Sequence, residues 1–125
     1  MTFFFDHNLS PNLADALNLL GIRTTYLSKE FPKDAADTDW MPVAVGRGYV
    51  VITCDRNIQK RQAEREVYRR MKLRGVFLAP AFSKMRVREI AKWLLWRWDD
   101  IERTMEGARP GESYLLRLRG KLARL

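Results

Sequence analysis

Cysteine is almost missing. Cys54 is the only one in 125 residues, so no intramolecular disulfide can brace the fold, and a cytosolic, cytoplasmic address is the expectation. No CxxC pair, glycine-rich phosphate loop or serine nucleophile elbow occurs. These absences argue against a zinc module, a nucleotide-binding switch and an acyl-transfer hydrolase. His7 is the only histidine. Standing alone, it packs or hydrogen-bonds more readily than it catalyses. Apolar runs are too short to span a bilayer, and Met1 to Phe5 lacks the basic region and long apolar stretch of a secretion signal, so no membrane role is expected. Acidic residues are outnumbered: 15 Asp and Glu face 23 Lys and Arg, giving a net charge of +8. Such an excess suits anionic partners, with nucleic acid first and an acidic protein or membrane surface behind.

What is present reads as one α/β domain over residues 1–125, with 119–125 as a frayed basic tail. The expected core is a central parallel sheet of four to five strands, flanked by helices in three layers. Thr2 to Phe5 is a buried strand. Ser10 and Pro11 open a helix with Leu13, Ala16, Leu17 and Leu20 on one face. Ile22 to Leu27 is a second strand, completing a βαβ unit. Lys29 to Ala36 is a loop. Asp37 opens a short helix made irregular by Pro42, and Tyr49 to Thr53 is a third strand. Asn57 to Met71 is a basic helix backed by Ala63, Val67 and Met71. Gly75 to Ala79 is a fourth strand. Arg86 to Glu106 is a long helix with a stripe of Val87, Ile90, Ala91, Leu94, Trp98, Ile101 and Met105. Trp96 falls on its opposite, charged face, as a partner contact would. Tyr114 to Leu118 is a last strand.

Three acidic stretches mark the chain: Phe5-Asp6-His7-Asn8, Asp37-Thr38-Asp39-Trp40 and Thr53-Cys54-Asp55-Arg56-Asn57. Asp6 and Asp55 each follow a strand, and sites in parallel sheets form beyond the strands' carboxyl ends. Asp37 can reach the same edge. Converging carboxylates suit Mg²⁺ or Mn²⁺, which favour hard oxygen ligands. Such an ion can activate water against a phosphodiester, with Asn8 and Asn57 orienting the ligands. Lys60, Arg61, Arg65 and Arg69 would then hold a phosphate backbone beside it. Each position also has a plain structural reading: turn former, helix cap or solvated helix face. A phosphotransfer receiver is a weaker alternative, because no lysine ends the fourth strand.

Phe-Phe-Asp-His-Asn-Leu-Ser-Pro, then a helix ending in Leu-Gly, then Asp-Thr-Asp-Trp, then Val-Val-Ile-Thr-Cys-Asp-Arg-Asn-Ile, resembles the PIN-like domains. The resemblance covers about the first sixty residues and extends to the superfamily of VapC-type toxin ribonucleases. It implies a metal-dependent endoribonuclease, often the toxin of a type II toxin–antitoxin pair. Asp6, Asp37 and Asp55 match the family's acids, and Asn57 stands where the family has Asp or Asn. A further acid of PIN domains at large has Asp39 as its nearest counterpart, and His7 replaces a position often acidic. Fewer carboxylates favour one metal over two. The implied partners are RNA and a cognate antitoxin, with a homodimer as an oligomeric option. The competing expectation is a PIN-like protein that has lost catalysis and binds RNA or an acidic partner.

Overall fold

The computed structural model describes residues 1–54 and 57–125. Strand β1 is Phe3–Phe5, followed by helix α1, Pro11–Leu19, and strand β2, Thr24–Tyr26. Helices α2, Leu27–Glu30, and α3, Asp37–Gly46, lead to β3, Val50–Cys54. Helix α4, Ile58–Met71, and β4, Arg74–Leu78, come next. After a 3₁₀ turn at Pro80–Lys84 come α5, Val87–Glu106, β5, Ser113–Leu116, and β6, Ala123–Arg124.

The six strands form one sheet in the order β2-β1-β3-β4-β5-β6. The first five run parallel, and β6 returns antiparallel on β5. The sheet is therefore wider than the four to five strands expected. The basic tail, expected to fray, instead pairs: Ala123 lies opposite Leu115, and the Leu125 N–H donates to the Ser113 carbonyl at 2.8 Å. Backbone polar groups that β5 would otherwise expose are satisfied this way.

Side chains alternate across the strands, so each strand feeds both faces. On one face the Phe3 ring meets Trp98 of α5 edge-on, with centroids 4.6 Å apart. Helix α1 packs beside α5 there. On the other face Phe4 stacks on Trp40 of α3 at 5.2 Å and on Tyr49 at 5.5 Å. Further along that face, Phe77 of β4 lies against Tyr68 of α4 at 5.4 Å. Burial on both faces explains why β1, β3 and β4 are near-continuous apolar runs.

Several boundaries and stripes differ from expectation. Strand β2 is shorter, because Leu27, its expected last residue, opens α2, which runs on to Glu30 in the expected loop. Glu30 at the end of α2 gathers the hydroxyls of Thr25 and Tyr49, each at 2.9 Å, and the guanidinium of Arg47. Helix α1 buries Leu13, Ala14 and Leu17, while Leu20 and Ala16 face solvent. The Thr24 hydroxyl, bonded to the Ala14 carbonyl at 2.5 Å, holds Ala14 close to the sheet. Pro42 sits inside α3 with its side chain exposed, so the helix continues through it.

Among the described side chains of α4 the buried one is Tyr68; Ala63 is exposed, and Val67 and Met71 are half-buried. The reason lies in β4. A Cβ at Gly75 would stand 2.8 Å from the Tyr68 ring, so the missing side chain is the slot into which the ring fits. In α5, Val87 is exposed at the first turn, and Arg97 joins the buried stripe. Its guanidinium donates to the carbonyls of Arg117, at 3.1 Å, and Gly120.

Candidate active site

The carboxyl ends of the five parallel strands share one edge, in register Phe5, Ile52, Val76, Tyr114. Asp6 is the first residue beyond β1 and is buried, at 6% exposure. The alternation that sends Phe4 towards α3 sends Asp6 the same way. Its Oδ1 accepts the Asn8 backbone N–H at 3.0 Å, and its Oδ2 accepts the Asn8 amide at 3.5 Å. That amide also donates to the Thr53 hydroxyl at 3.3 Å, tying β1 to β3.

Burial pushes the Asp6 pKa above its ordinary value. Hydrogen bonding to Thr53 and Asn8, then the charge of His7, pull it back, and the negative charge of Asp37 pushes it further up. Among the described residues no lysine or arginine pairs with Asp6. A buried carboxylate without a cation is costly to keep ionised.

Asp37 is the first residue of α3, and its exposed carboxylate accepts the Trp40 indole N–H at 3.0 Å. Trp40 is buried and stacked on Phe4, so a rigid ring holds this acid at the sheet edge. The expected capping role falls elsewhere. Ala36 is the N-cap residue, and Asp39 reaches back to its N–H at 3.2 Å. The two acids have thus divided the work: Asp39 closes the helix start, and the charge of Asp37 adds to the raised proton affinity of Asp6.

Asn57 is the N-cap of α4, with its Oδ1 accepting the Lys60 N–H at 2.8 Å. Asp55, the remaining acid expected here, lies outside the described residues. Among the described residues no group of three or more His, Cys, Asp or Glu side chains clusters as a metal set. His7 is exposed and lines a cavity of about 200 Å³ with Asp6, Leu9, Tyr26 and Lys33. Cys54 is buried at the end of β3.

The basic helix presents Lys60, Arg65 and Arg69 to solvent, with Arg61 partly covered. Lys60 pairs with Glu64 at 4.0 Å, and Arg69 bonds to Glu66 at 2.8 Å. Exposed pairs of this kind contribute roughly 0–1 kcal/mol, so a phosphate can displace them.

Two residues of this edge had no assigned role in the sequence. Thr53 opens the third acidic stretch, but its bond across to Asn8 was set by the register of β3 beside β1. Tyr68 is fully buried, and burial, followed by the charges of Asp6, Glu64 and Asp37, pushes its hydroxyl well above its ordinary value. A glycine opposite an aromatic, Gly75 against Tyr68, is the signal that could have found it.

The architecture is that of an α/β domain whose parallel sheet carries acids at its carboxyl edge. The family model described as the PIN like domain matches residues 1–80. That is more than half of the chain, which belongs to the PIN-like domain family. Comparison with curated proteins and with solved structures gives no match. PIN-like domains are generally nucleases, and the fold is of the nuclease type. No helix among the described residues is long and apolar enough to cross a membrane.

Proposed function

We propose that this chain is a metal-dependent endoribonuclease and the toxin component of a type II toxin–antitoxin pair. The observation that carries the reading is Asp6: a buried carboxylate at the sheet's carboxyl edge, under the charge of Asp37 and paired with no lysine or arginine among the described residues. Oxygen donors in this setting fit a hard divalent ion such as Mg²⁺ or Mn²⁺. Asp6 and Asp37 would hold it, with Asp55, the next residue after β3, as a third ligand. Bound there, the ion would lower the pKa of a water and offset charge on phosphate oxygens.

The chain's own groups do the positioning. Asn8 and Thr53 fix the Asp6 carboxylate, and Trp40 fixes that of Asp37. With Oδ1 capping α4, the Asn57 amide N–H is left to orient a ligand. Lys60, Arg61, Arg65 and Arg69 hold the RNA backbone by charge. Net charge of +8 favours both that substrate and an acidic antitoxin as partner.

One observation favours a second reading. Burial raises the proton affinity of Asp6 and so opposes a ligating carboxylate. A PIN-like protein that binds RNA without cleaving it would tolerate that. Labelled RNA incubated with Mg²⁺, Mn²⁺ or EDTA separates the two. The nuclease reading expects metal-dependent cleavage that Asp6→Asn reduces at least a hundredfold. Equal cleavage by wild type and variant would refute it, and metal-insensitive binding without cleavage would support the second reading.

A further inference from the structure

Trp96 is 77% exposed, the most exposed aromatic on a helix whose other face is core. It lines a groove of about 500 Å³ with Trp93, Leu118, Arg119 and Lys121. The segment that carries the two cations is not free to swing. Arg97, itself buried, donates to the Arg117 and Gly120 carbonyls and pins the segment against α5. Asp100, the one acid in the groove, is engaged by Arg97 at 3.9 Å and Arg103 at 3.3 Å. Arg119 and Lys121 have no ion-pair partner among the described residues.

The groove's place in the fold matters as much as its lining. Arg117 follows the last residue of β5, as Asp6 follows the last residue of β1. Both lie at the same carboxyl edge of a parallel sheet. Trp93 meets Phe82 of the turn after β4 at 6.4 Å, which anchors the groove's wall to that edge. Three strand steps separate β1 from β5, roughly 14 Å at about 4.8 Å per step. Helix α5 covers the sheet face opposite to the one that Asp6 shares with Phe4, so the groove is a contact separate from the acidic centre.

We propose that this groove binds single-stranded RNA, with a base stacked on the Trp96 indole and phosphates held by Arg119 and Lys121. The inference rests on the nuclease reading and adds to it a second contact with the RNA, outside the acidic centre. An exposed indole flanked by fixed cations is the pairing that unpaired bases use, since every base offers a π face. An acidic peptide would satisfy the cations and leave the indole uncovered.

The test is fluorescence anisotropy of the full chain with a labelled oligoribonucleotide of about ten residues, a length suited to such grooves, in EDTA so that cleavage cannot intervene. Trp96→Ala should weaken binding roughly tenfold without changing the salt slope, Trp96→Phe should retain most of it, and the duplex form should bind less well. The pair Arg119→Ala and Lys121→Ala should lower the salt slope by about 1.4. Wild-type affinity in Trp96→Ala overturns the proposal. So does polyglutamate that displaces the RNA and loses affinity equally in Trp96→Ala, which would mark an acidic protein surface. Binding through Trp96 with no cleavage once Mg²⁺ or Mn²⁺ replaces EDTA overturns the nuclease reading alone, whereas cleavage in those ions with unchanged Trp96→Ala binding overturns the groove alone.

Discussion

Gly75→Ala adds one methyl group at the point where α4 meets the sheet. The new Cβ would stand 2.8 Å from both Cδ2 and Cε2 of Tyr68. Carbon atoms prefer about 3.5–4.0 Å, so the ring must retreat by roughly 0.7 Å or more. It has little room to do so. Tyr68 is 2% exposed and lies 5.4 Å from Phe77, tilted by 45°. Overpacking of this kind costs about 1–3 kcal/mol. At about 4 °C per kcal/mol for a domain of this size, the melting temperature should fall by roughly 4–12 °C. A double-mutant cycle isolates the cause. Tyr68→Val is destabilising by itself, but in its background the added methyl has no ring to strike and should cost under about 0.5 kcal/mol. Thermal and urea melts of the four proteins supply the cycle. A Gly75→Ala protein that melts within a degree of wild type, or the same penalty in both backgrounds, would refute the packing argument.

The remaining predictions concern charge and backbone. Asp6 has a folded-state pKa raised above its unfolded value, so it favours the fold at pH below the unfolded value and withdraws that support as pH rises through the folded one. In EDTA at neutral pH, Asp6→Asn should therefore melt higher than wild type, and the gap should close on acidification towards pH 4; a variant that melts lower at neutral pH contradicts this. Lys72 caps α4 with φ +64°, a left-handed conformation that costs a non-glycine residue roughly 1 kcal/mol. Lys72→Gly should raise the melting temperature by a few degrees, and a lowered one would count against the cap assignment.

Much of this molecule was legible before its coordinates. The runs Phe3 to Phe5 and Val50 to Cys54 announce parallel strands because burial on both faces demands uninterrupted apolar residues. Asp6 is readable as the first polar residue past such a run. What sequence spacing could not carry was set by neighbours distant in the chain. Tyr68 is core because Gly75 leaves a slot for it, and Arg97 is buried because two carbonyls past β5 need donors. The helix start is closed by Asp39 and not Asp37, because the Trp40 indole, held by Phe4, engages Asp37. The tail is ordered because β5 would otherwise be an open edge.

The central claim is that the acidic edge around Asp6 and Asp37 holds a divalent ion. Titration of Mn²⁺ followed by the loss of its free-ion electron paramagnetic resonance signal measures that occupancy directly, without any need for substrate. Wild type should bind Mn²⁺ at neutral pH, with affinity falling on acidification as Asp6, whose proton affinity burial raises, takes up its proton. Asp6→Asn and Asp37→Asn should each weaken binding at least tenfold. Binding unchanged by both substitutions, or no binding by wild type at neutral pH, would contradict the account.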